Sequence, residues 1–146
     1  MIYVPAPALE ALCAEARSAY PRECCGVLLG RTREGDGAAS RDVVRPMPLA
    51  NAWEGAQERR YLIGSGTVVE LERQAKREGL ELIGFYHSHP DHTPTPSAFD
   101  REQAWPWYTY VIVAVRSDVV GPVGAWRLAD DRSAFHEEAL ATVEDS

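Results

Sequence analysis

The chain has 146 residues, and 15 Lys and Arg against 22 Asp and Glu leave a formal charge of −7. A single domain of that size buries roughly 70% of its unfolded surface, and 45% apolar with 25% charged residues excludes a disordered chain. The acidic balance argues against nucleic acid as a partner, and no run approaches the roughly 18 unbroken apolar residues that a membrane-spanning helix needs. Met1 to Pro5 lacks the basic and apolar regions of a secretory signal, so a cytoplasmic location is expected. Cys13, Cys24 and Cys25 form neither a CxxC pair nor an even disulfide frame and read as small buried hydrophobes.

In chain order, Ile2-Tyr3-Val4 predicts a short strand, and the helical spacing of Leu9, Leu12, Cys13, Ala16 and Tyr20 predicts a helix from about Pro7 to Ala19. Cys24 to Leu29 and Asp42 to Arg45 read as two strands of a hairpin across the turn containing Glu34-Gly35-Asp36-Gly37. Pro46 to Arg59 reads as a loop, and Tyr61-Leu62-Ile63 as briefly extended. Ser65 or Thr67 is the expected cap of a second helix whose buried face is Val68, Leu71, Ala75 and Val69, ended by Gly79. Leu82 to His87 predicts a strand, Pro90 to Pro96 a constrained loop, and Ser97 the cap of a short helix that finishes near Pro106. Tyr108 to Val115 is the strongest strand, buried on both faces; Val123 to Leu128 pairs with it, and Ala134 to Glu138 adds an edge. The sum is an α/β sandwich in which helices flank a mixed sheet.

The segment with chemistry in it is His87-Ser88-His89-Pro90, followed by Ser97 and Asp100. Side chains two apart on a strand share a face, so the two imidazoles can converge on one ion. Asp100 lies eleven positions after His89, and the loop stiffened by Pro90, Pro94 and Pro96 leads into a helix able to return its carboxylate over the strand end. Two imidazoles and one carboxylate suit one Zn²⁺ with a fourth position left for water. Ser88 points to the opposite face, which leaves a Ser/His nucleophile without geometry.

His87-Ser88-His89, seven residues, Ser97, two residues and Asp100, with Glu23 upstream, resembles the complete motif of the JAMM (MPN+) metalloproteases. Pro21 to Gly30, PRECCGVLLG, is similar to the opening of that family's small stand-alone bacterial branch. The resemblance implies a cytidine-deaminase-like fold, zinc on His87, His89 and Asp100, Glu23 as general base and Ser97 assisting the oxyanion. It also implies cleavage of peptide or isopeptide bonds after the C-terminal glycines of a ubiquitin-like sulfur-carrier protein, in one route releasing cysteine.

Those roles make chemical sense. Glu23 lies outside the ligand triplet at the mouth of a strand, where a carboxylate can face a site and move a proton. Ser97 and the free N–H groups of the first helical turn present positive partial charge to a developing oxyanion, although Ser97 with Asp100 also reads as a capping pair. His92 and Asp91 read as exposed loop polarity, His136 as isolated, and Trp105, Trp107, Tyr108 and Tyr110 as core aromatics of which one or two could border a groove. A cytidine-type deaminase is excluded by the missing HxE and PCxxC ligands. The alternatives are a non-haem iron oxygenase, which uses the same ligand types, a non-catalytic MPN-type binding module, and a DNA-repair-associated JAMM-like protein.

Overall fold

The computed structural model describes residues 1–33 and 40–144. Its elements in chain order are β1 (Ile2–Pro5), α1 (Ala6–Ala19), β2 (Cys25–Arg33), β3 (Ser40–Leu49), α2 (Ser65–Arg77), β4 (Glu81–Pro90), α3 (Ala98–Gln103), β5 (Thr109–Arg116), β6 (Val119–Leu128), β7 (Phe135–Glu138) and β8 (Leu140–Val143). The strands form one mixed sheet in the order β7-β6-β5-β4-β2-β3-β1-β8. β4 is central, antiparallel to β2 and parallel to β5.

Alternate strand residues feed two cores. On one face Ala8, Leu12 and Ala16 of α1 meet Leu28, Val111, Val113 and Val115. On the other, Val68, Leu71 and Ala75 of α2 meet Val27, Leu29, Phe85 and Tyr110. Burying a Leu or Val in this way contributes roughly 1.5–3 kcal/mol each, which is why two short amphipathic helices suffice to cover the sheet.

A bulge in β4 decides what the end of that strand presents. Leu28 pairs with Gly84 and Leu29 with Leu82, so Ile83 is an extra residue. Leu82 and Phe85 consequently share the α2 face, while Ile83 and Tyr86 share the α1 face. From there the ordinary alternation carries His87 and His89 onto the α2 side and Ser88 onto the other. Gly84 is required at the bulge: a Cβ there would sit 2.2 Å from the Thr109 carbonyl oxygen.

Several expectations need correction. Pro46 to Leu49 belongs to β3 rather than to a loop; within β3, β1 pairs with Arg41 and Asp42 and not with the far half, which is an edge where proline's missing N–H breaks no ladder. Neither Ser65 nor Thr67 caps α2, whose cap is Gly64 without a side-chain bond, and Val69 is exposed. β8, which adds beside β1 in parallel, has no counterpart among the predicted strands. Cys24 and Cys25 are buried and Cys13 half-buried, all with free thiols. The turn expected at Glu34 to Gly37 lies outside the described residues.

Candidate metal centre

His87 and His89 occupy the C-terminal end of β4, where β2 flanks one side and β5 the other, with Cys25 and Ile112 paired to His87. Central position in the sheet explains their burial, 1% and 7% exposed. Asp100 arrives from α3 as the third residue of a capping box. Ser97 Oγ accepts from the Asp100 N–H at 3.0 Å, and Asp100 Oδ2 accepts from the Ser97 N–H at 2.9 Å. The cap therefore fixes the carboxylate, as the capping reading of this pair expects.

The three side chains meet. Nε2 of His87 lies 3.1 Å from Nε2 of His89 and 3.3 Å from Asp100 Oδ2, and His89 Nε2 lies 3.0 Å from the same oxygen. His89 Nδ1 is 2.8 Å from the Thr93 carbonyl oxygen, which can only accept, so Nδ1 carries a proton. In the neutral ring Nε2 then presents a lone pair, aimed at a second imidazole and at a carboxylate oxygen. Two imidazole nitrogens and a carboxylate oxygen this close together suit a cation. Zn–ligand bonds of about 2.0–2.1 Å at tetrahedral angles place ligand atoms about 3.3–3.4 Å apart, close to the separations found, so this group fits a zinc ion.

Burial would raise the Asp100 carboxyl, but His87, His89 and the Ser97 N–H hold it well below the usual carboxylate range. Burial lowers His87 against the pull of Asp100; for His89 burial also lowers, but the bonds to Asp100 and Thr93 outweigh it and the pKa rises.

Glu23 sits beside this group in the turn before β2, 6% exposed. Burial pushes its carboxyl up to about 8, opposed by His89 and reinforced by Asp100, and its buried Oε1 has no hydrogen-bond partner among the described residues. A carboxyl near neutrality with an unused oxygen is equipped to accept and return a proton. Ser97 is exposed, and because its Oγ accepts from Asp100, its own proton is left to donate.

The remaining candidates fall elsewhere. Ser88 Oγ accepts from the Cys24 N–H on the α1 side. Asp91 accepts from the Tyr20 hydroxyl at 2.9 Å, and His92 and His136 are exposed. Tyr110 is core and stacks on Phe85. Trp107 covers the guanidinium of the buried Arg41, and Trp105 with Tyr61 borders a cavity of about 310 Å³. Sequence reasoning missed Tyr61, whose ring stacks on His87; an aromatic in an irregular loop carries no periodic signal that would single it out. It also missed the Thr93 carbonyl, since a main-chain acceptor is invisible to residue type. Among the described residues no helix is long and apolar enough to cross a membrane.

Residues 5–129 match the model of prokaryotic homologs of the JAB domain. A desampylase of Haloferax volcanii is 39% identical over 63% of this chain, which spans 62% of that protein. A probable TtuB-protein conjugate cleaving protease of Thermus thermophilus is 32% identical over 77% of this chain and 69% of its own. A CysO-cysteine peptidase of Mycobacterium tuberculosis is 29% identical over 99% of this chain and 92% of its own. A JAB1/MPN domain protein of Archaeoglobus fulgidus shares the fold, with a TM-score of 0.58 at 20% identity over 99% of this chain and all of that one. With matched positions running from the end of β1 through β6, and the His-x-His and Asp groups converging within them, the chain belongs to the family of prokaryotic homologs of the JAB domain.

Proposed function

We propose that this protein is a zinc-dependent peptidase or isopeptidase that cuts after the C-terminal Gly-Gly tail of a ubiquitin-like sulfur-carrier protein. The convergence of two imidazole nitrogens and one carboxylate oxygen within 3.3 Å of one another carries the reading. Relatives named for conjugate cleavage and for a CysO-cysteine substrate supply the substrate class, with a C-terminal cysteine among the candidate leaving groups. The free thiols fit a reducing compartment, and we assign the reaction to the cytoplasm.

In this reading His87, His89 and Asp100 hold one zinc ion. When bound, zinc lowers the pKa of its water to about 7 and polarises the scissile carbonyl. Glu23 takes the water's proton and delivers it to the departing amine, which without it would leave as a poor anionic group. The Ser97 hydroxyl donates to the carbonyl oxygen as negative charge develops there. An extended glycine tail beside a sheet edge, held by main-chain pairing, accounts for a preference for small residues near the ion.

The test is to incubate the zinc-loaded protein with sulfur-carrier proteins extended past Gly-Gly by an amino acid, or joined there to a lysine side chain, and to follow the masses. Release of the extension, blocked by a chelator and restored by zinc, is expected. Intact masses throughout, or equal cleavage when bulky residues replace the glycines, would overturn the substrate assignment.

A further inference from the structure

Glu23 belongs to neither a helix nor a strand, yet both of its main-chain polar groups are held by one loop. Its N–H donates to the Gln57 carbonyl at 2.7 Å, and its carbonyl accepts from Asn51 Nδ2 at 3.3 Å. That loop is itself organised around the Asn51 side chain. Nδ2 also donates to the Arg60 carbonyl at 3.0 Å, while Oδ1 accepts from the N–H of Trp53 at 3.0 Å and of Leu62 at 3.1 Å. The amide thus uses both donors and both acceptor directions, the full capacity of the group. The backbone of Asn51 takes part as well, since its carbonyl accepts from Gln57 Nε2 at 3.1 Å.

The far end of the same loop carries Tyr61, next to the Leu62 N–H that Asn51 holds, and the Tyr61 ring rests on His87. One side chain therefore links the main chain of the proton carrier to the residue covering a metal-ligand ring. Register supports this placement. Leu49, at the end of β3, pairs with Cys25, at the start of β2, so Asn51 and Glu23 extend side by side from paired strand ends. We propose that Asn51 is a positioning residue for the hydrolytic reaction, setting the distance between the Glu23 carboxylate and the His87, His89 and Asp100 group. It touches none of the ligands and no reacting atom. The inference rests on the assignment of Glu23 as proton carrier.

The experiment is a double-mutant cycle on the zinc-loaded full chain, with kcat, KM, zinc content and Tm measured for Asn51→Ala, Glu23→Gln and the combination. A misplacement of the carboxylate by about 1 Å costs about 100-fold, so Asn51→Ala is expected to lower kcat by that order with zinc content and KM little changed. In the Glu23→Gln background the same substitution should cost little more, because the group it positions is already disabled. Equal fold losses in both backgrounds, or a wild-type kcat for Asn51→Ala, would overturn the proposal and leave Asn51 a purely structural residue. Full activity of Glu23→Gln refutes the proton-carrier assignment itself, a separate and recognisable failure that removes the route by which Asn51 acts. Should Asn51→Ala not fold, Asn51→Asp keeps an acceptor for Trp53 and Leu62 while losing both donors, and the same comparison applies.

Discussion

The Tyr61 ring lies 4.3 Å from that of His87, centroid to centroid, with the planes 23° apart. His89 is oriented by a hydrogen bond from Nδ1 to Thr93, but Nδ1 of His87 has no partner among the described residues. Stacking therefore does for one proposed ligand what a hydrogen bond does for the other. Tyr61→Ala should weaken zinc binding about 10–100-fold, the usual cost of losing a group that orients a ligand, while Tyr61→Phe should bind normally. Competition against a chromogenic chelator measures this; unchanged affinity in the alanine variant would show the contact to be idle.

In the proposed mechanism, ligand and proton carrier are separable. His87→Ala should lose zinc and turnover together, because the remaining pair leaves the ion with too few protein ligands. Glu23→Gln keeps size and polarity without basicity, so it should retain about one zinc per chain and lose turnover by about 10²–10⁴-fold. Metal analysis alongside rate measurement decides, and a Glu23→Gln protein that turns over normally removes Glu23 from the mechanism.

Ser97 caps α3, and the proposed mechanism gives it a second role as oxyanion donor. As a helix cap its loss in Ser97→Ala should lower stability by about 1 kcal/mol. As an oxyanion donor its loss should lower kcat by about 10²–10³-fold. A variant with reduced Tm and normal kcat would confine Ser97 to the cap.

Metal removal exposes the burial of Glu23 as a pH effect. Its folded pKa of about 8 lies above the unfolded value of 4.5, so the native state binds the extra proton between them and stability falls as pH rises across that window. Chelator-treated protein should accordingly lose stability between pH 4.5 and pH 8, and Glu23→Gln should flatten the slope there. Denaturant unfolding at a series of pH values reads it. Bound zinc favours the carboxylate and should shift the transition to lower pH.

What the sequence revealed follows from how each signal is encoded. The β4 and β5 runs and the apolar stripe of α2 are periodic, and burial reads periodicity directly. His87, His89, Ser97 and Asp100 were legible because strand and cap spacing dictate where those atoms go. The bulge at Ile83 was not, although it determines which face the histidines take, because it arises from pairing with β2 and the closeness of Thr109 to Gly84. Asn51 and Tyr61 were hidden for a related reason: their roles depend on main-chain groups distant in sequence, which no local pattern records.

The central claim is that His87, His89 and Asp100 grip one zinc ion, and anomalous X-ray diffraction from crystals grown with zinc tests it most directly. The account predicts a single strong peak at the zinc edge, about 2.0–2.2 Å from His87 Nε2, His89 Nε2 and an Asp100 carboxylate oxygen. No peak there, with the three side chains turned apart, would contradict it.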